Sequence, residues 1–469
     1  MTILESILDA ARLDSPFRDV DLSTVELHGE TDPVYPSPLQ LAEGTAGLLG
    51  LLASEANAIS ALQRELSGKT GANPTARIDR LHALLTISSM WVMKVDGELA
   101  ISKFIDPIAA GQGVFRCADG QWLYLLSGFP HLVEKTLAVL GCTADELTEQ
   151  VESHDSATLE RKLVEAQLTG VVMRDHDTWL QHPQGQLLRD TPAVTVEKIG
   201  DAPLRALPPS RLDGLRVLDA TRVLAGPTCA KTLAALGADV LHVGSPDVPD
   251  ITAGQIDTGA GKRRAHLDLD TTSGVETMQQ LLAGADVFSQ SYRAQSLARR
   301  GLAPEVVASA NPGIIYVTEN AYGDFGPWRE KRGFDGNVQA ATGISALHDS
   351  PGAPIQPTGI AMAMNDYNTG YWAAYGVLNA LRRRASEGGS WHVRVSLAQT
   401  ARWFMRLGAP HDKKDAHAND AIWSYIERYS EREDCAYGSV ERLRFPIEFS
   451  DGKAAFGSTV MPGSNPARW

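Results

Sequence analysis

The chain has 469 residues, 43% of them hydrophobic and 21% charged, which is ordinary for a soluble globular protein and enough for two or three packed units. A formal net charge of −14 argues against general affinity for nucleic acid or an anionic membrane, so any anionic ligand has to be met by a local basic cluster. Four scattered cysteines, Cys117, Cys142, Cys229 and Cys435, show no CxxC spacing and predict buried thiols, not a disulfide framework or a zinc site.

The opening stretch MTILESILDAARLD carries acids and lacks the basic region of a signal peptide. With no apolar run of membrane-spanning length, the expectation is a cytoplasmic protein with no membrane partner. Ser37 to Leu66 is rich in Ala and Leu at helical spacing; a loop with Gly68, Gly71 and Pro74 follows, then a second apolar helix from about Arg80 to Met93. Residues 1–94 therefore read as an N-terminal helical segment. GVFRCADGQWLYLLSG, residues 113–128, alternates in the β manner around an Ala-Asp-Gly turn and predicts a hairpin. With helical stretches near 130–140 and 156–167 it forms a small α+β domain over 95–200. His182, in HPQGQ, is a lone histidine beside a proline, the usual setting of a loop or cap residue and not of a metal ligand. Pro203, Pro208 and Pro209 then mark a linker at 201–211.

LRVLDATRVLAGPTCAKTLAALGADVLHV, residues 215–243, reads strand, loop, helix, strand, a βαβ unit that demands a parallel sheet. The alternation continues through AHLDL (265–269), a helix at about 273–282, ADVFSQ (285–290), a helix at 304–310 and GIIYVT (313–318). The fold class is α/β: an open, Rossmann-like parallel-sheet domain over 212–409 plus the smaller α+β domain, joined by long buried helices, with 410–469 as a C-terminal segment. The first loop lacks GxGxxG, and Gly244 stands where a ribose-binding acid would close the second strand. DTGAGKRR lacks the spacing of a phosphate loop and has Arg263 where a magnesium-binding hydroxyl is needed.

Ligands of such sheets bind at the carboxyl ends of the strands, which here hold Thr221 to Pro227, Ser289 to Arg293 and Thr318 to Gly323. Arg222, Lys262, Arg263, Arg264, Arg293, Arg299 and Arg300 gather near the same loops, which suggests a phosphate-bearing ligand. The stretch GIAMAMNDYNTGYWAAYGVLNALRRR, residues 359–384, is apolar on nearly every side and predicts a buried helix with Asp366 in its first turn. Two readings stay open there. Asn365 or Asp366 caps the helix, which spacing alone favours, or Asp366 is a nucleophilic carboxylate.

Taken in order, LDGLRVLDATRVLAGPTCAKTLAALGADVLHV, GKRRAHLDLDT, ADVFSQSYRAQSLARRGL, NPGIIYVTENAYGDFGPW with RGFD, and MNDYNTGYWAAYGVLNALRRR resemble the successive motifs of the family III CoA-transferases, the CaiB/BaiF family. The resemblance implies an enzyme that moves CoA from an acyl-CoA thioester to a carboxylic acid, through an aspartyl mixed anhydride and an aspartyl-CoA thioester. Asp366 takes the place of the nucleophile. The loop Arg222, Val223, Leu224, Ala225 matches the one that helps hold the thioester, Lys262 and Arg263 a turn along the nucleotide, and Arg299 an arginine near CoA. Ser291 and Tyr292 stand where the family has Asn-Phe, and Tyr322 joins the implied binding residues. No permanently bound cofactor or metal is implied; CoA is substrate and product, with an acyl-CoA and an acid as partners.

Two alternatives accompany this reading: an acyl-CoA racemase of the same family, and a degenerate homologue that binds acyl-CoA without turnover. The racemases use a histidine in a GHD-like motif, and Gly333-Phe334-Asp335 replaces it with a side chain that cannot transfer a proton. The chain also departs from the family's order, since about 200 residues precede the α/β unit. Ser37 to Met93 faintly repeats Met364 to Met405, with Glu43 near the place of Asp366, so the chain reads as a fusion or permutation of two family copies. Glu43 itself reads as a surface or capping acid. Leu41 to Leu66 and Tyr371 to Leu381 would each expose a wide apolar face if left alone, and a homodimer is the expected way to cover them.

Overall fold

The structure is a computed structural model that describes residues 21–30, 37–69, 71–104, 111–248, 250–348, 363–409, 424–452 and 454–469. Its centre is a seven-stranded sheet built from β1 (Val194–Gly200), β2 (Arg216–Ala220), β3 (Asp239–Gly244), β4 (Lys262–His266), β5 (Val287–Gln290), β6 (Ile315–Asn320) and β7 (Ser390–Ser396). The strands lie in the order β4-β3-β2-β5-β6-β7-β1. All pairs are parallel except β7 with β1. Strand order therefore reverses between β2 and β5. Crossover connections diverge at that point and leave a crevice at the carboxyl ends, the place where open α/β sheets bind ligands.

The helices that build the site are α1 (Leu41–Leu66), α2 (Ala225–Ala235), α3 (Asp335–Thr342), α4 (Met364–Glu387) and α5 (Leu397–Leu407). Crossovers α2 and α4 pack side by side in one continuous core with α1 and α5. The opposite face of the sheet is closed by a separate core that includes Leu281, Phe288, Val307 and Tyr316. Gly370 permits the α2–α4 approach: a Cβ there would sit 2.5 Å from the carbonyl oxygen of Ala225 and 2.6 Å from Cβ of Thr228. That contact brings the first turn of α4 beside the loop that leads into α2.

Helix α1 corrects the reading that no run of membrane-spanning length exists. By length and composition it could cross a membrane, yet it is buried among protein helices. Its partner is α4 of the same chain. Asn368 Nδ2 donates to Thr45 Oγ1 at 3.3 Å, and Arg382 pairs with the buried Glu55 at 2.7 Å. The two apolar faces that suggested a dimer therefore cover one another within one chain. Glu43 is the third residue of α1, as Asp366 is the third of α4. It lies 2% exposed with Arg80 Nε at 3.9 Å, and so is a buried acid and not a surface one.

Segment boundaries also differ from the sequence reading. Residues 194–200, assigned to the small domain, extend the central sheet as β1, because their alternating pattern pairs antiparallel with Ser390–Val395. Strands of the C-terminal segment pair with the N-terminal one: Gly438–Leu443 with Lys94–Val95, and Glu448–Phe449 with Ala76–Arg77. The predicted helix from Arg80 to Met93 divides into Arg80–Thr86 and Ser89–Val92. Strand β4 begins at Lys262, three residues before the predicted one, because Lys262 and Arg264 point inward to buried partners and so break the apolar pattern. The small α+β unit keeps its hairpin (Gly113–Arg116 with Trp122–Leu125), joined by Val171–Val172 and covered by helices Pro130–Leu140 and Ser156–Glu165.

Candidate active site

A cleft of about 400 Å³ opens over the carboxyl ends of β2, β5 and β6. Its walls are Arg222, Val223 and Ala225 after β2, Ser291 to Arg293 after β5, and Thr318 to Ala321 at the end of β6. The small unit contributes Phe129 and His131, residues 329–334 close one side, and Asp366 stands within it. Val223 has φ +68°, a left-handed conformation that costs a β-branched residue about 1–3 kcal/mol and persists only where the surroundings impose it. Ser291 Oγ accepts from the Arg222 N–H at 3.2 Å on one side of that residue, and α2 begins two residues later on the other. The N-cap of α2, Leu224, makes no side-chain capping bond; in the first turn of that helix the N–H of Gly226 donates to the carboxyl of Glu319 instead.

Asp366 does not cap its own helix. The backbone N–H groups of Asn365 and Asp366 both donate to Asp335 Oδ2, at 2.7 and 2.9 Å, while Asn365 Nδ2 and Gln339 Nε2 donate to Asp335 Oδ1, both at 2.8 Å. Asp335, from the first turn of α3, thus occupies the start of α4 with four accepted bonds, and the side chain of Asp366 is left to the cleft. Burial raises the carboxyl of Asp335 to about 6, with its four donors pulling the other way. Asp366 is raised well above its ordinary value, first by burial and then by the charges of Asp335 and Glu319. Glu319, on β6, is pushed up to about 7 by burial, which the N–H of Gly226 offsets only in part.

The structure brings Arg222, Val223, Ala225, Ser291 and Tyr292 together with Asp366 around this cleft. It does not bring the other predicted residues there. The side chain of Leu224 is buried in the core. Lys262 is 4% exposed and binds Asp219 Oδ2 at 2.8 Å and Pro227 O at 2.9 Å, so its charge is spent holding the loop after β2 from beneath. Arg263 forks onto Asp239 at 2.8 and 2.9 Å at the sheet edge, and Arg299 is exposed on the helix after β5 with Gln295. Tyr322 is buried edge-on against Trp328, with ring centroids 4.8 Å apart.

Sequence reasoning missed Asp335, Glu319 and the cations Arg329, Lys331 and Arg332. The first signal was present in Gly333-Phe334-Asp335, whose aspartate directly follows the place of the missing histidine. Glu319 lay within Thr318 to Gly323, flagged only as a strand end. His182 does accept from Gln184 N, as a cap. The side chain of Gln184 does more: it binds Tyr322 O, Phe325 O and Trp328 N at 2.7–3.0 Å and fixes the loop that leads to the cleft wall. Among the described residues no cluster of three metal-ligating side chains occurs.

Residues 212–421 match the sequence profile described as CoA-transferase family III. The acetyl-coenzyme A transferase nodX of Hypoxylon pulicicidum is 28% identical over 440 residues, a span of 83% of this chain and 73% of that protein. Such a span exceeds what the chain from 212 onward could supply, so the likeness continues into the preceding residues. The beta subunit of succinyl-CoA–L-malate CoA-transferase of Chloroflexus aurantiacus is 33% identical over 202 residues, covering 40% and 49% of the two chains. A solved CaiB/BaiF family protein from Brucella suis aligns over 49% of this chain and 65% of its own at 27% identity, with a TM-score of 0.38.

Proposed function

Because this chain belongs to CoA-transferase family III and is a CoA-transferase of that type, we propose that Asp366 is its nucleophile and that the cleft receives the thioester end of an acyl-CoA. One observation carries the assignment: Asp335 satisfies the N–H groups at the start of α4, so Asp366 has no capping duty and stands in the cleft.

In its ionised form the Asp366 carboxylate attacks the thioester carbonyl. A C–O bond forms, the C–S bond breaks, and the electron pair leaves on sulfur, giving a mixed anhydride and CoA thiolate. The thiolate attacks the aspartyl carbonyl and releases the first acid; an acceptor carboxylate then reverses the two steps on the Asp366–CoA thioester. No proton is consumed. At the start of α2 Pro227 has no N–H and that of Gly226 donates to Glu319, which leaves the N–H of Ala225, in the cleft wall, as the backbone donor that supports the oxyanion. Arg222, Arg293 and Arg332 give the cleft wall the cations that a nucleotide phosphate needs. CoA is substrate and product here, with an acyl-CoA donor and a carboxylic acid acceptor as the two partners.

Phe334, beside Phe129 at 6.0 Å between ring centroids, gives the cleft an aromatic side and no proton carrier, which favours transfer over racemisation. Since α1 and α4 cover one another and the small unit of the same chain lines the cleft, we read the site as complete within one chain, and not as one that needs the expected homodimer. Light scattering run alongside an activity assay tests this. A fully active species of about 50 kDa agrees with it, and activity confined to a dimer refutes it. The nucleophile is tested by incubation with an acyl-CoA and hydroxylamine: a hydroxamate at residue 366 is expected, and turnover without any adduct there overturns the assignment.

A further inference from the structure

Two arginines reach the cleft from different segments and rest on one residue. Arg293 follows β5, Arg332 stands just before α3, and both line the cleft. Arg293 Nη1 donates to Oε1 of Gln167, and Arg332 Nη1 donates to the backbone oxygen of Gln167 at 2.8 Å. Among the described residues these are the hydrogen bonds of the two guanidiniums, and neither joins an ion pair. In a chain of net charge −14 carboxylates are plentiful, yet both cations are held by neutral oxygens. Burial, and after it the charge of Arg293, press the Arg332 guanidinium below its ordinary value, so the two like charges feel each other beside Gln167.

Gln167 belongs to the small unit, between helix Ser156–Glu165 and strand Val171–Val172, and has φ +56°. A left-handed glutamine persists only where its surroundings impose the conformation. Here its N–H donates to Val164 O at 2.9 Å, and the N–H of Leu168 donates to Leu163 O at 2.8 Å. On the far side Lys331 Nζ donates to Leu168 O and Gly170 O at 2.9 and 2.7 Å, so its ammonium is given to the loop. Arg222, across the cleft, leans toward Asp250 at 3.9 Å. Arg293 and Arg332 each keep most of their N–H donors unbonded.

We propose that Gln167 is the positioning residue for the phosphate end of the acyl-CoA: it aims both guanidiniums at one place in the cleft and leaves their charge unspent. This rests on the reading that the cleft receives an acyl-CoA, and it does not depend on which residue is the nucleophile. A neutral amide suits the role. Bonds to its two oxygens fix where two long side chains stand, which reduces the ordering that phosphate binding would otherwise have to supply. A glutamate at the same place would hold the arginines as firmly and would cancel the field that a phosphate meets. The ligand chemistry is a phosphate ester, which CoA carries both in its diphosphate and at its 3′ position.

Calorimetric titration of the full chain with CoA, dephospho-CoA and pantetheine tests this without turnover. The native protein should bind CoA more tightly than pantetheine. In Gln167→Glu the Kd for CoA should rise about tenfold or more relative to that for pantetheine. Gln167→Gly suits the left-handed backbone and keeps the carbonyl for Arg332 while releasing Arg293, so it should shift the same ratio in the same direction by less. A purely structural role for Gln167 would lower the unfolding midpoint and preserve the ratio, and a ratio preserved in both variants overturns the proposal. So does a native protein with no preference for CoA over pantetheine, because the arginines would then meet no phosphate. The dephospho-CoA arm identifies the group: an effect of Gln167→Glu that persists with dephospho-CoA supports the diphosphate as the ligand of the pair, and one that vanishes supports the 3′-phosphate. If Gln167→Glu fails to fold, Gln167→Gly decides. Failure of the Asp366 assignment shows separately, as a missing hydroxamate in the native protein, and leaves these titrations untouched.

Discussion

Replacing Asp335 with Asn removes one charge and keeps the shape. The amide retains one acceptor oxygen, while its NH2 turns a donor toward two of the four donors that Asp335 now satisfies. Leaving buried N–H groups unsatisfied costs about 1–3 kcal/mol each, so about 2–6 kcal/mol is lost. Against this stands the relief of burying a carboxylate. The folded-state value is raised from 3.8 to about 6. Between those two values the folded protein binds the proton more tightly than the unfolded chain, so the native protein loses stability as pH rises through the window, by up to about 3 kcal/mol. The Asn variant has no such slope. Its deficit should therefore be smaller above pH 7 than near pH 4, by up to about 3 kcal/mol. Urea unfolding at several pH values measures this directly. The activity profile supplies a second reading: without the neighbouring anion, Asp366 ionises more easily and the acid limb moves down in pH. A deficit that is constant with pH, or that grows toward pH 7, would refute the view that a charged Asp335 is buried at the start of α4.

Asp366→Asn should abolish transfer and yet raise the melting temperature at neutral pH. The native carboxyl is raised by burial and like charges, so its stability cost is absent below its unfolded value and grows as pH rises; an equal or lower melting temperature for the variant at pH 8 would contradict this. Val223→Gly relieves a left-handed β-branched residue and should leave stability unchanged or raise it by about 1 kcal/mol, with kcat reduced by a looser loop; a fall in the unfolding midpoint would show that the valine side chain matters more than its backbone. Gln184→Ala removes three bonds to the loop before the cleft wall and should cost about 2–4 kcal/mol, with KM raised more than kcat is lowered. Charge reversal of Arg222 should raise the KM for a CoA ester, whereas reversal of Arg299, exposed and outside the cleft, should not; equal effects at both would show that the nucleotide runs along the helix after β5.

Periodicity alone determined the α/β class, the order of strands from 215 to 318 and the helix that carries Asp366. Those features depend on apolar spacing, which the chain keeps wherever both faces of a strand or one stripe of a helix are buried. It also located the ligand side of the sheet, since strand order in a parallel α/β unit leaves little choice. The same reasoning failed where charge enters the core. Lys262 looked like a ligand for phosphate because it stands in a turn among other basic residues near the strand-end loops; only its contact with Asp219, 43 positions earlier, makes it internal. Arg263, half-buried at the sheet edge, is held by Asp239.

Partner choice over long separations was decided by tertiary structure. Whether Asp366 caps its helix or serves the cleft depends on Asp335, 31 residues away, and no local spacing distinguishes the two cases. Whether α1 and α4 join two chains or one depends on which apolar face meets which, and hydrophobic burial is non-directional, so composition carries no address. The addresses are the Arg382–Glu55 pair and the Asn368–Thr45 bond, each formed between residues that only the folded backbone brings within reach.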